Sequence, residues 1–357
     1  DNTRAEVSYE ATREDDVLFA GAGMDSPMSD SDNVRLKFSR DAMEGMFTGV
    51  NVEFYRTDVQ HLMDNYSLRP LTARMAMRAP SESDTLGGRF NVDLVVGPNL
   101  DLVLGADYQQ NDRQALRFAG PNPENVQLLQ SVLWPEVRIG QGGVFAEGQR
   151  RLGERSRLNF GLRVDRFTAS AAGTDLQPVG ANLSPRELYE AYYGSGSDEW
   201  SDTGVAGLLR FERDLGSPGA TLFAGVSRSV RPADATERYL GANNMNPLMR
   251  WVGNPDLELA AHHQIDLGLG WAREARSLSF NGFFDQVGDF ILRDRAHGQE
   301  GIERSDNATI YRNVSARLFG LELAGGGDWR DGRLALQGDV AWVYGQNRTD
   351  GRPLAQI

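Results

Sequence analysis

The sequence contains no cysteine, only four histidines, and fewer basic than acidic residues, 37 against 50 in a chain of 357. Without cysteine, disulfides, Cys-based zinc or iron–sulfur sites and thiol catalysis are excluded within these residues. A formal charge of -13 leaves no clustered Lys and Arg to neutralise phosphates, so nucleic acid is not an expected partner, whereas cations or neutral ligands are. The histidines, His61, His262, His263 and His297, fall in no nucleophile elbow or HExxH motif, and the chain does not read as an enzyme. No stretch approaches the roughly 18 apolar residues of a spanning helix, and the opening DNTRAEVSYE has no basic and apolar regions of a secretion signal.

What the sequence does contain is alternation. Phe90, Val92 and Leu94 alternate with Asn91 and Asp93; after Gly97-Pro98-Asn99 come Leu100, Leu102, Leu104, Ala106 and Tyr108, interleaved with Asp101, Gly105, Asp107 and Gln109. That is a hairpin with one apolar and one largely polar face. The period returns at Leu158–Val164, at Ile265–Trp271 and from Leu334 to Tyr344, in roughly a dozen to fourteen strands, many of them as long as the about 9 to 11 residues needed to cross a bilayer. Because only every second residue of such a strand meets lipid, low hydropathy does not exclude a membrane.

The connections alternate in length. Tight turns are predicted near 97–99, 150–155, 214–218, 273–276 and 330–332, and long loops over 113–135, 171–199, 231–261 and 294–314. Short turns at one end and long loops at the other are the pattern of an antiparallel transmembrane β-barrel, and a soluble all-β fold has no need of it. Trp271, Trp342 and Tyr344 close their stripes where an interfacial girdle would sit, although strand aromatics are common anyway. Two loop helices are expected: Ser184-Pro185-Arg186-Glu187 fits a capping box with Pro at the first helical position, and 124–134 is the weaker case. Gly140-Gln141-Gly142-Gly143 and Gly21-Ala22-Gly23 have no strand-to-helix context and read as barrel glycines; Asp25, Asp30 and Asp32 lack EF-hand spacing and read as a solvated acidic loop.

Methionine is concentrated. Met24, Met28, Met43, Met46, Met63, Met75 and Met77 account for seven of the nine. Thioether sulfur suits Cu(I), and imidazole suits copper in either oxidation state. In His61-Leu62-Met63 the outer two side chains project to one face of an extended segment and can hold one ion; Met75-Ala76-Met77 repeats the geometry. Taken by itself such a triplet is more often structural. His262 and His263, being adjacent, point to opposite faces.

The stretches VRPADATERYLGANN, WVGNPDLELAAHHQIDLGLGW, FFDQVGDFILRD, YRNVSARLFGLEL and GQNRTDGRPLAQI resemble the barrel of TonB-dependent outer-membrane receptors, with Gly253-Asn254-Pro255-Asp256-Leu257, Asn313-Val314, Gly320-Leu321-Glu322 and Gly351-Arg352-Pro353-Leu354 in that family's order. The resemblance runs over nearly the whole chain. FAGAGMDSPMSDSDN and HLMDNYSLRP resemble the copper-receptor branch, which pairs a barrel His-x-Met with Cys and Met ligands from a plug domain. It implies a bacterial outer-membrane location, copper as the transported ligand with no cofactor required, His61 and Met63 as metal ligands, and partnership with outer-membrane lipid and, through the plug, with the TonB-ExbB-ExbD system. It also implies a barrel of about 22 strands, of which residues 1–357 would form a part, without recognisable plug or last strands. The inward acids Asp93, Asp101, Asp107 and Asp165 could bias the lumen toward cations. A ferric siderophore receptor, or a soluble β-rich binding module, are the alternatives.

Overall fold

The computed structural model describes residues 2–180, 182–216, 219–329 and 333–354. Nine antiparallel strands come first: β1 (Thr3–Val17), β2 (Asp25–Asp41), β3 (Phe47–Asp64), β4 (Ala76–Val95), β5 (Leu100–Gly120), β6 (Leu128–Arg151), β7 (Ser156–Ala171), β8 (Glu199–Asp214) and β9 (Ala220–Arg231). The two-residue strands β10 (Gly241–Ala242) and β11 (Trp251–Val252) follow. Then come β12 (Ala260–Arg273), β13 (Arg276–Arg295), β14 (Thr309–Trp329), β15 (Leu334–Asn347) and the short β16 (Arg352–Pro353). Each long strand pairs with the next in chain order, β9 with β12 included, giving one up-and-down sheet. Among the described residues the outer edge of β1 has no partner and that of β15 meets only β16, so the sheet is an open arc.

Alternation gives the sheet two unlike faces. Outward, Val34, Leu36 and Phe38 of β2, Leu162 of β7, Ile265, Leu267 and Leu269 of β12 and Val340 of β15 stand exposed, Val340 by 68%. Exposed apolar stripes repeated on strand after strand form a surface for hydrocarbon, and they set aside the soluble-module alternative. Inward, polar side chains join strand to strand: Asn51 donates to Asp93 (3.2 Å), and Arg163 donates to Asp107 (2.6 Å) and Asp165 (2.7 Å). Two of the four inward acids therefore share one guanidinium, which offsets one of their two charges and weakens the cation bias read from their positions.

Several sequence expectations change. Residues 113–135 are mostly strand: β5 runs to Gly120 and β6 starts at Leu128, leaving a short link with a 3-10 turn at Pro123–Asn125 and no helix over 124–134. The ladder continues past the lipid level, where both faces tolerate polar residues, so Gln, Asn and Arg in this stretch do not mark a loop. For the same reason Asp25, Asp30 and Asp32 sit in β2 instead of forming a solvated loop: Asp25 is buried and Asp32 binds Arg13 at 2.8 Å. Gly21-Ala22-Gly23 is the β1–β2 connection, while Gly140-Gln141-Gly142-Gly143 lies in β6 as expected. The turn at 330–332, residues 217–218 of the turn near 214–218 and the terminal Ala355-Gln356-Ile357 lie outside the described residues.

The core sits not within the wall but among the long loops at one end, the mouth. Helix α1 (Pro185–Tyr193) begins with the expected capping box between Ser184 and Glu187 and ends at Gly194, whose φ of 71° is the left-handed conformation glycine adopts freely. It buries Leu188, Tyr189 and Tyr192 completely, against Val137, Tyr239, Val252 and Ile310. Each such side chain stabilises the cluster by about 1.5–3 kcal/mol. The tyrosine hydroxyls tie the loops together: Tyr189 donates to Tyr239 O, Tyr192 to Asp306 (2.7 Å) and Tyr193 to Val252 O (2.9 Å). A second short helix, α2 (Ala235–Tyr239), capped by Asp234 and Glu237, was not anticipated because five residues carry no periodicity. Its Arg238 is fully buried, stacks on Trp200 at 3.9 Å and donates to the carbonyls of Pro255 and Leu257, closing the Gly253–Leu257 turn. Burial lowers its pKa to about 10, so the guanidinium is still charged at neutral pH. Gly253 is required there, since a Cβ would lie 2.5 Å from Leu240 N.

Two outcomes are expected. Leu188→Ala should cost the loop core about 2–5 kcal/mol, seen as faster hydrogen exchange over α1 and α2 with the β2–β5 amides unchanged. Residues 1–357 expressed alone should give no heat-modifiable barrel band in semi-native electrophoresis, because among the described residues the unpaired edge of β1 and the edge of β15 beyond its short pairing with β16 leave backbone groups unsatisfied in lipid; a native-like band from this segment would contradict the reading of the edges.

Candidate metal-binding site

β3 alternates strictly, with Val52 and Phe54 exposed on the outer face. Asn51, Glu53, Tyr55, Thr57, Val59, His61 and Met63 therefore face inward. The register confirms it: Thr57 donates to Asn33 at 3.2 Å across β2–β3, and Asn51 to Asp93 across β3–β4. His61 lies opposite Ser29 of β2 and Ser81 of β4, and Met63 opposite Ala79. Both are half-buried, close to the mouth. Among the described residues the His61 ring makes no hydrogen bond; outside the ladder, its backbone carbonyl accepts from Ser81 Oγ at 3.3 Å. An imidazole with no competing partner has its nitrogens free for a ligand.

β4 runs without a register break through the facing segment, so Met77 shares the inward face with Ala79 and Ser81 and adds a thioether toward the mouth from Met63. Met75 is 40% exposed and lies just before the strand. Met28 pairs with Leu62 and so takes the outer face, away from His61. His61, Met63 and Met77 are thus brought to one face, and the other loop methionines are not brought to it by the strand pairing.

The end of the hairpin is held by Asn65, Asp64 and Arg69, none of which sequence reasoning places at the site. Asn65 donates Nδ2 to Met75 O (3.1 Å) and accepts from Met77 N (2.8 Å), while Asp64 accepts from Tyr66 N (3.0 Å) and Ser67 N (2.7 Å). Arg69 reaches back to Ala22 O (2.9 Å) and to buried Asp25, pinning the β1–β2 connection to the β3–β4 loop. The Asp64-Asn65 pair is a turn signal by composition, but Arg69–Asp25 is a contact across 44 residues that no local pattern encodes.

The site stands apart from the loop core. No residue of β1–β4 belongs to either buried cluster; one joins β6 and β7 to the loops and β14, the other joins β12, β13 and β14. Among the described residues no group of three or more His, Cys, Asp or Glu could hold a metal, and the nitrogen and sulfur donors on this face are one imidazole and the thioethers. The other histidines divide as their adjacency implied: His262 faces inward and its Nδ1 lies 2.7 Å from Asp285, while His263 faces outward; His297 is exposed in a loop.

The family described as "TonB dependent receptor-like, beta-barrel" matches residues 1–357. Among solved structures the chain is similar to the copper transporter OprC, with a TM-score of 0.82 and 24% identity over 100% of this chain and 52% of that one. It is also similar to the ferric yersiniabactin uptake receptor FyuA from Yersinia pestis (TM-score 0.64, 14% identity, 99% and 51%). The ferric citrate transporter FecA aligns with a TM-score of 0.63 and 12% identity over 91% and 44%. No curated protein sequence matches. The chain spans about half the length of the structures it matches. An up-and-down sheet with apolar outer stripes, matched over its full length by one family, leads to a single conclusion: this chain belongs to the β-barrel family of TonB-dependent receptors, proteins of the bacterial outer membrane.

Proposed function

We propose that the chain forms part of the wall of an outer-membrane importer of copper ions, in which His61 and Met63 are the barrel's ligands to the ion. The observation that carries this reading is their common inward face near the mouth, clear of the loop core, with the imidazole free of hydrogen bonds among the described residues. A donor set of one imidazole and one or two thioethers favours Cu(I) over Mg²⁺, Ca²⁺ or Fe³⁺, which take oxygen ligands. Similarity to a copper transporter adds support to the choice of cargo.

Two ligands from the wall bind weakly, and an importer benefits from that: the ion must be held firmly enough to enter and loosely enough to leave. Further ligands would come from a plug domain in the lumen, and force on that domain from the TonB-ExbB-ExbD system would release the ion inward. The barrel performs no covalent chemistry in this scheme. Met77, on the same face toward the mouth, is a further contact for the arriving ion, and Met75, exposed before the strand, a lesser one.

In the full-length gene product, purified from outer membranes, His61→Ala with Met63→Ala should weaken copper binding by about 100-fold or more, equivalent to about 2.8 kcal/mol, while the heat-modifiable barrel band persists. Bound metal measured by mass spectrometry checks this. Unchanged copper binding would make both residues structural, and saturable binding of a ferric siderophore complex in its place would establish the siderophore alternative. Met77→Leu should weaken copper binding by several-fold and Met75→Leu by less; an equal effect of both would remove Met77 from the ligand face.

A further inference from the structure

On the outer face of the C-terminal strands the apolar stripe ends in register. Val226, Ile265, Phe284, Phe319 and Tyr344 lie side by side across β9, β12, β13, β14 and β15. On each strand the next outward residue toward the mouth is polar, and these are again paired neighbours: Arg228, His263, Gln286, Arg317 and Gln346. The first row is exposed hydrocarbon, Ile265 by 52% and Val226 by 51%. The second therefore begins where hydrocarbon gives way to headgroups.

That second row carries two guanidiniums, an imidazole and two amides, and no carboxylate. None stands outward along β9, β12 or β15, or from Leu278 to Gln286 and Ser315 to Leu323. In a chain of formal charge -13 this is unusual, and the N-terminal strands do the opposite. There Asp32, Asp58, Asp84 and Asp112 lie in one register row on the outer face, with Arg13, Arg56 and Arg138 already bound to carboxylates. By contrast Arg228 and Arg317 have no carboxylate partner among the described residues. Arg317 lies over the Phe284 ring at 5.5 Å and its Nε is buried without a partner; Arg228 gives one Nη to Val205 O.

We propose that this row docks the phosphorylated headgroup of an outer-leaflet lipid, whose acyl chains lie on the apolar row beneath it. The guanidinium fork matches a phosphate in two parallel hydrogen bonds, and its remaining donors have no protein acceptor to satisfy them. Arg228 and Arg317 are three strand spacings apart, about 14 Å, so two phosphates are held at once with His263 and Gln286 between them. The aromatics below, with Phe319 packed on Trp342 at 5.5 Å and on Tyr344 at 5.3 Å, give the upper acyl segments a rigid floor. Lipid docking here is independent of the barrel's cargo, because His61 lies on the opposite face of a different strand.

The test uses the full-length gene product extracted from outer membranes in mild detergent, with native mass spectrometry and lipid-phosphorus analysis as readouts. Wild type should retain phosphorylated lipid, and Arg228→Gln with Arg317→Gln should lose it by about tenfold or more while keeping the heat-modifiable band and wild-type copper binding. As a comparison that needs no variant, the delipidated wild type should take up the bacterium's own outer-leaflet lipid but not the same lipid with its phosphates enzymatically removed. Equal retention by wild type and the double variant, or equal uptake of phosphorylated and dephosphorylated lipid, would overturn the proposal.

Discussion

Every long strand of this protein is bound to its neighbours by an almost unbroken ladder of backbone hydrogen bonds, and the rest of the structure depends on that ladder. In hydrocarbon an unpaired N–H or C=O has no water to turn to, so pairing is obligatory and register is fixed strand by strand. Once register is fixed, period two decides which face each side chain meets. The inward placement of His61 and Met63, the outward placement of Met28 and the matched outer rows on β9 to β15 are consequences of the same ladder.

A wall made this way has no core of its own, and the protein builds one elsewhere. The loops between β7 and β8, β9 and β12, and β13 and β14 interlock through α1, three tyrosine hydroxyls and the buried Arg238. A guanidinium in such a place would be destabilising without partners; two carbonyls and the Trp200 ring offset much of its desolvation. This packing is confined to one side of the mouth. The β2–β4 side is held by smaller polar clamps at Asn65, Asp64 and Arg69, which leave the methionines and His61 accessible.

Charge is distributed with equal economy. On the inner face Arg163 lies between Asp107 and Asp165, so the lumen wall is less acidic than its composition suggests. On the outer face acids collect on β2 to β5, and guanidiniums without a carboxylate partner among the described residues on β9 and β14, a division invisible in the net charge of the chain. Both halves of that division lie just beyond the apolar stripes, where the sign of the charge decides what a headgroup meets.

By itself the sequence determined the fold class, the membrane-facing stripes, most turns, helix α1 and the shared face of His61 and Met63, because each of these depends on residues within a few positions of one another. Alternation, capping boxes and Gly-Pro-Asn turns are local signals, and family motifs are read along the chain. Only the tertiary structure decided that residues 113–135 are mostly strand, that Asp30 and Asp32 belong to a ladder, that Met77 joins the ligand face and Met28 leaves it, and that Arg69 anchors Asp25. It likewise decided that Arg228, His263 and Arg317 form one row. The physical reason is register: which residues stand side by side on neighbouring strands is set by hydrogen bonding across tens of residues, and a shift of one position would exchange the two faces.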